Sequence, residues 1–416
     1  MSDCAIDFGT SNSAVAVTGG DGVRLVAVEA AHRTLPSAIF FNRDEGHTAF
    51  GRAAVAEYVA GYEGRLMRGL KSVLGSALAE GSTELGEGGT VGYLDVIAAF
   101  LSHLLDKTAA ETGARPRRAV LGRPVFFVDD DAQADRRAEE QLARAARQAG
   151  LETLHFQYEP IAAAFDYERQ AASERIVLIA DIGGGTSDFS VIRVGPARIG
   201  RADRREDLLG HGGVHLAGTD FDRRAALHGV MGAFGYRSLG TDGRELPNRL
   251  YFDLSTWHLI NTVYGAKRLA GLRDIRALYA DPRHYERLER ILTQRLGHEV
   301  VGQVEAAKIA VSGGGQTCIH LDAVEADLGV AFDAADLLQA CQQEIARIVE
   351  AARQTVAQAQ LPAERLDAIY FTGGSTGLVC LTEAIAAAFP QAERLHGDRL
   401  GSVATGLGVY AQRLFA

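Results

Sequence analysis

Lysine is nearly absent from this chain: Lys71, Lys107, Lys267 and Lys308 are the only four among 43 basic residues. Arg carries the remaining positive charge, so each retained Lys marks a position where a compact ammonium suits better than a guanidinium fork. Cysteine is equally sparse, and Cys4, Cys318, Cys341 and Cys380 form no CxxC or zinc-like spacing. That excludes a disulfide framework and a zinc cluster, and predicts buried, reduced thiols. No apolar run approaches the ~20 residues of a membrane span, and the start lacks the basic and apolar stretches of a signal peptide. A soluble, cytoplasmic protein without a membrane partner is expected. An excess of positive charge is missing too: the formal net charge is −10, which argues against nucleic acid as the main partner.

Standard nucleotide motifs are also wanting. Gly64 and Gly69 nearly frame a P-loop, but Leu70 intervenes before Lys71-Ser72, so GxxxxGK[ST] does not occur. The run Gly183-Gly184-Gly185 lacks the third glycine of a dinucleotide fingerprint. His211 and His215 have helical zinc-ligand spacing, yet Gly212 and Gly213 between them argue against a helix.

What the chain does contain is a long-range internal repeat. With 416 residues, two or three compact units are expected. Ala5 to Val17 has β-formers on both sides of Gly9-Thr10-Ser11-Asn12, and Ile176 to Val194 has them around Gly183-Gly184-Gly185-Thr186. Aligned on Asp7 and Asp181, the segments are Ile-Asp-Phe-Gly-Thr-Ser-Asn and Ala-Asp-Ile-Gly-Gly-Gly-Thr-Ser-Asp. Two similar lobes, each offering one hairpin, are implied. Small residues with free backbone donors let such turns approach phosphate oxygens, with hydroxyls from Thr10, Ser11 and Ser13 beside them. Asp7 and Asp181 suit Mg²⁺, which keeps most of its waters and takes one or two carboxylates plus phosphate oxygens.

Between and after the hairpins, strands and helices alternate, which predicts an α/β architecture. Leu94, Ile97, Leu101, Leu104 and Leu105 mark one face of a helix. A polar helix is expected from about Asp131 to Gly150, and Tyr158-Glu159-Pro160 opens another. Gly218-Thr219-Asp220-Phe221-Asp222 introduces a helix, and Phe332-Asp333 starts a long one carrying Leu337, Cys341, Ile345, Ile348, Ala352 and Val356. The strand Ala368 to Thr372 enters Gly373-Gly374-Ser375, and Val403 to Leu414 is a closing helix. Residues 236 to 298 are Arg-rich and mostly helical in pattern.

The segments AIDFGTSNSAVAV, RAVLGRPVFF, YEPIAAAFDYE, IVLIADIGGGTSDFSVIRV, HLAGTDFD, VEAAKIAVS and IYFTGGSTG resemble, in order and spread, the nucleotide-binding domain of the heat-shock protein 70 (DnaK) family. The stretch around Asn248 to Tyr264 resembles most the shorter YegD-like branch. The resemblance implies an actin-like ATPase fold, with two duplicated, ribonuclease-H-like lobes around a central cleft. Lobe I would span 1–175, with 398–416 returning to it and 36–115 as an outer subdomain. Lobe II would span 176–397, with 219–331 as its outer subdomain.

By the same resemblance ATP or ADP with Mg²⁺ would occupy the cleft, with Asp7 and Asp181 on the metal. Gly9, Thr10, Ser11, Asn12, Gly183, Gly184, Gly185, Thr186 and Gly218 would line the phosphates. Lys71 would reach the γ-phosphate and the attacking water, where a point cation stabilises spreading phosphoryl charge. Glu159 would orient that water or accept its proton. Glu305, Lys308 and Ser312, three and four apart on one helix face, would serve the nucleoside, with Gly373, Gly374 and Ser375 packed under it. Pro124 and Arg136 or Arg137 sit where the family couples nucleotide state to a second domain.

Two positions depart from the family pattern: Ile309 and Gly377 stand where it has arginines that sandwich adenine. Losing them removes contacts worth about 0.5–2 kcal/mol each. The chain also stops at Ala416 with no apolar linker, β-sandwich or helical lid after the closing helix. The expectation is therefore an ATP-binding, weakly ATP-hydrolysing, chaperone-like switch that works with a separate protein partner or client. A sugar or carboxylate kinase and an actin-like filament protein remain alternatives on the same fold.

Overall fold

Strands Asp3–Phe8 (β1) and Asn12–Gly19 (β2) bury Cys4, Ala5, Ile6, Val15, Ala16 and Val17, and their alternation of β-formers makes them the centre of a sheet. The computed structural model describes residues 3–415 apart from 20–21, 87–88, 129–130, 200, 202–203 and 399–400, and gives the backbone alone for 86, 166, 169–170, 266–267 and 363. Around the first hairpin stand Gly22–Leu25 (β3), Thr34–Pro36 (β4), Arg118–Arg123 (β5) and Thr153–Tyr158 (β6), in the order β6-β5-β1-β2-β3 with β4 beside the start of β2.

The second sheet repeats this plan. Arg175–Ile182 (β7), Ser187–Val194 (β8), Leu208–Val214 (β9), Ala368–Thr372 (β10) and Glu393–His396 (β11) run in the order β9-β8-β7-β10-β11. In each sheet the central strand pairs antiparallel with its hairpin partner and parallel with a later strand, and a further parallel strand closes that edge. The matching order is the duplicated-lobe, actin-like architecture that the two hairpins imply.

Helices cover both faces of the sheets. Tyr93–Thr112 (α1) turns Leu94, Ile97, Leu101, Leu104 and Leu105 onto the first sheet and stops at Gly113, whose φ of 79° suits a glycine cap. Ala132–Gln148 (α2) starts where the Asp131 carboxylate accepts from the Gln133 and Ala134 amides. Glu159–Gln170 (α3) takes Pro160 in its first turn, where the missing N–H costs nothing. On the far side of the second sheet lie Gly218–Gly229 (α4), Gly297–Val311 (α5), Ala334–Gln358 (α6) and Val379–Ala388 (α7). The closing helix Ser402–Phe415 (α8) and α3 are packed between the two sheets, sharing a core with Ala5, Val120, Val177, Ile179 and Ala368.

Smaller pieces extend outward from each sheet. Ala38–Asn42, His47–Phe50 and Gly64–Arg68 form a three-stranded sheet under the helix Gly51–Val59. Opposite lie short helices between 249 and 293 and the hairpin Gln316–His320/Gly329–Asp333. The expectation of buried thiols holds for Cys4 and Cys341 but not for Cys318, which is exposed, or Cys380, half-buried. Cys318 lies on that outer hairpin, a strand with one side open to water, so its neighbours' β character did not imply burial. Among the described residues no helix is long and apolar enough to cross a membrane.

Candidate functional site

The two glycine turns meet. A Cβ placed on Gly184 would come 2.5 Å from the Ser11 hydroxyl and 3.2 Å from its Cβ, so a side chain there would push Ser11 aside and the glycine lets the turns approach this closely. The first turn is braced from below: the Ser37 hydroxyl donates to the Gly9 carbonyl at 2.6 Å, its amide donates to the Ser11 carbonyl at 2.9 Å, and Ser13 Oγ lies 2.9 Å from Ser37 Oγ. The second turn is held by two elements, the start of α4 and the turn Gly374–Gly377. The Thr219 amide and hydroxyl donate to the Gly184 carbonyl at 2.8 and 2.9 Å, and the Ser375 hydroxyl donates to the Gly183 carbonyl at 2.6 Å. Gly218 at the start of α4 has no room for a side chain, because a Cβ would meet Ser375 Oγ at 2.7 Å. The carbonyls of Gly183 and Gly184 are thus turned into the protein, and the N-terminus of α4 points its dipole at the same turn.

Beside the turns one lysine pairs with Glu159 and feels the charges of Asp7, Asp181 and Asp188. Lys71 sits in the short 3₁₀ turn Leu70–Val73 after Gly69, with Nζ 2.5 Å from Glu159 Oε1 at the start of α3. Both side chains are largely enclosed, at 10% and 15% exposure. Asp7 on β1 and Asp181 on β7 complete the centre with Asp188, which stands directly opposite Asp181 across the hairpin. Asp188 Oδ2 accepts from the Thr186 hydroxyl at 2.7 Å. Gly373 makes space for Asp181: its φ of 87° and ψ of 149° are glycine territory, and a Cβ there would meet Asp181 Oδ1 at 2.6 Å.

The electrostatics follow from this crowding. Removal from water, then the charges of Glu159 and Asp181, push the Asp7 carboxyl up to about 8 against the opposing pull of Lys71. Burial, then Asp188 and Glu159, lift Asp181 to about 7. Asp188 faces the cleft, yet the protein mass around it also raises its carboxyl, helped by Glu159 and opposed by Thr186, His211 and Lys71. Burial works against the Lys71 ammonium, but Glu159, Asp7 and Asp188 outweigh it and hold its pKa above the usual value. One cation does not balance four carboxylates, so the cluster favours a further positive charge. Among the described residues no three His, Cys, Asp or Glu side chains converge as a cage for a metal. A cation here would keep waters and take outside oxygens, which is the habit of Mg²⁺. The donor set fits that ion.

A second wall stands apart from the cluster. Glu305, Lys308, Ile309 and Ser312 share one face of α5 and its C-terminus. Lys308 Nζ is 2.5 Å from Asp222 Oδ1 on α4; burial lifts the Asp222 carboxyl to about 6 although Lys308 pulls it down. The Ser312 carbonyl accepts from the Val379 amide at 3.0 Å, which ties the end of α5 to the start of α7, just after the turn Gly374–Gly377. Asn12 is exposed at the start of β2 and paired with Pro36, at the edge of the cluster. Thr10 lies near Gly69, where a Cβ would come 3.8 Å from Thr10 Cγ2. The side chain of Lys267, followed by Arg268, lies outside the described residues.

At the mouth, side chains from the two halves interlock. Tyr58 lies 5.5 Å from Trp257 and 5.6 Å from His298 by ring centroids, and the Arg68 guanidinium sits 4.6 Å over the Trp257 ring. The Glu305 charge bears on Arg68 from across the mouth.

Asp188, Asp222 and Ser37 were not singled out from the sequence as site residues. The first had a readable signal: pairing Asp181 with the residue across a tight hairpin lands on Asp188. The other two have none, because their roles depend on partners far away in the chain.

A sequence model of the family described as Hsp70 protein matches residues 4–235, more than half of the chain. Chaperone protein DnaK of Thermus thermophilus is 32% identical over 236 residues, which cover 52% of this chain and 36% of that protein. The chain thus spans about a third of the length of that relative. The matched family segment takes in both glycine turns, Lys71 and Glu159, and ends before α5 and Gly373.

Proposed function

The chain belongs to the Hsp70 family, and on that premise we propose that it binds ATP with Mg²⁺ in the cleft between its sheets, hydrolyses it slowly, and uses the nucleotide state to switch a surface read by a protein partner or client. The observation that carries this reading is the cluster of Asp7, Glu159, Asp181 and Asp188, whose charges bear on Lys71 beside two apposed glycine turns.

Asp7 and Asp181 would hold the hydrated metal, whose charge offsets the burial and the neighbouring carboxylates that lift their carboxyls. When bound, the ion neutralises phosphate charge and orients the terminal phosphoryl group. The turns Gly9–Ser11 and Gly183–Thr186 would hold the phosphates from opposite sides with backbone amides and hydroxyls. Lys71, already enclosed and held charged by Glu159, would place its ammonium where negative charge grows during phosphoryl transfer. The Glu159 carboxylate would accept a hydrogen bond from the attacking water, and Asp188 is a second acceptor within the cluster. Lys308 and Asp222 would brace the nucleoside wall.

The test is binding, then turnover. Mg-ATP should raise the Tm of the purified chain, and EDTA should reverse most of that shift; a Tm indifferent to Mg-ATP would remove the reading. Lys71→Ala should lower ATP turnover by a factor of ~100 or more while retaining nucleotide binding. Turnover equal to wild type would strip Lys71 of its role.

A further inference from the structure

Among the described residues, the nucleoside wall carries little that could identify a base by its edge. Apart from Glu305, which is exposed and whose charge bears on Arg68, its polar side chains are bonded within the protein. The Ser312 hydroxyl donates to the Ile309 carbonyl at 2.8 Å, and Lys308 is tied to Asp222 at 2.5 Å. The Ser375 hydroxyl donates to Gly183 and the Thr376 hydroxyl to the Gly373 carbonyl at 2.7 Å. Gly377 has no side chain to offer. What the wall exposes is apolar: Ile309 is 62% exposed and Val379 41%, and the bond from the Val379 amide to the Ser312 carbonyl keeps the two segments side by side.

Resting on the nucleotide reading above, we propose that this wall accepts a purine by apolar contact with Ile309 and Val379 and does not distinguish adenine from guanine strongly, so that guanine nucleotides are ligands of the same cleft. The physical reason lies in how discrimination arises. A site built to hydrogen-bond a group rejects an analogue that lacks it by roughly 10⁴–10⁵, because its own buried polar groups are then left unpaired. An apolar surface pays no such penalty and separates ligands of similar shape by about 10–200-fold at most. Adenine and guanine share their fused rings and differ in the groups on the edge, which Ile309 and Val379 do not address.

Isothermal titration of the full chain with Mg²⁺ and ADP, GDP or tripolyphosphate tests this. The dissociation constants of ADP and GDP are expected within about tenfold of each other. Ile309→Ala, on an exposed site where folding is not at risk, should weaken ADP and GDP alike by about three- to tenfold and leave tripolyphosphate unchanged. If ADP binds and GDP is more than about two-hundredfold weaker, the nucleotide reading stands and this inference alone is overturned. It is also overturned if Ile309→Ala affects only one base, or weakens tripolyphosphate equally. If neither nucleotides nor tripolyphosphate bind, the nucleotide reading itself falls.

Discussion

Asp7 and Asp181 ionise only reluctantly, at about 8 and about 7, because desolvation and neighbouring carboxylates oppose their charge. An acid raised above its unfolded value retains a proton in the native state that the unfolded chain has released. Between roughly pH 4 and 8 the native state therefore binds more protons, and stability falls as pH rises through that window. Asp7→Asn should raise the Tm of the metal-free, nucleotide-free protein at pH 8 by about 2 °C or more, with the gain fading below pH ~4. A gain independent of pH would contradict the assignment. Gly373 makes a matching case from sterics: Gly373→Ala forces a side chain into a backbone region nearly reserved for glycine and against Asp181. A loss of at least about 1–3 kcal/mol is expected in urea unfolding. Asp7, Asp181 and the glycine turns could be found in the sequence because their meaning is local, an acid at the end of a β-run followed by small residues. Ser37, Asp188 and Asp222 acquire theirs from register and long-range partners, which no local pattern encodes.

At the scale of elements, on the nucleotide reading the contacts at the mouth would govern ligand release. The helix Gly51–Val59 and the segments around Trp257 and His298 belong to opposite halves, yet Tyr58, Arg68, Trp257 and His298 form one aromatic and cationic cluster. The His298 ring adds a hydrogen bond to the Trp257 carbonyl at 3.2 Å. Tyr58→Ala should speed release of a fluorescent ADP by about three- to tenfold, since an aromatic pair contributes about 0.5–1.5 kcal/mol beyond burial. Stopped-flow release at the wild-type rate would exclude these rings from the barrier. Trp257 is the single tryptophan of the chain, so its emission reports on the mouth directly. The long helices were legible through their 3.6-residue pattern, and α1 and α6 lie where Leu94–Leu105 and Leu337–Val356 place them. The short strands were not: Gln316–His320 fully buries only Ile319 and exposes Gln316, Cys318 and His320, and Glu393–His396 has four residues at a sheet edge. Such strands exist because a neighbouring strand offers hydrogen bonds, a tertiary cause.

Across the whole molecule, the two sheets are joined by a layer that contains charge as well as apolar packing. Glu168 on α3 accepts from both terminal nitrogens of Arg204 at 3.1 and 2.8 Å and from the Gly195 amide at 3.1 Å, and Asp207 pairs with Arg204 and Arg198. Glu168 and Arg204 are both about 1% exposed. Glu168→Ala should cost about 3–5 kcal/mol, the penalty of leaving one member of a buried pair uncompensated, read as a lowered urea midpoint.

Packed in that layer, α3 and α8 cross with almost no clearance: a Cβ on Gly406 would fall 1.8 Å from the Ala162 carbonyl oxygen. Mechanically this makes the crossing a fulcrum. With no gap to slide through, any movement of one half against the other would have to roll about the point where Gly406 bears on Ala162. A single methyl at the pivot, Gly406→Ala, should therefore stiffen or unseat the entire lever while touching no ligand.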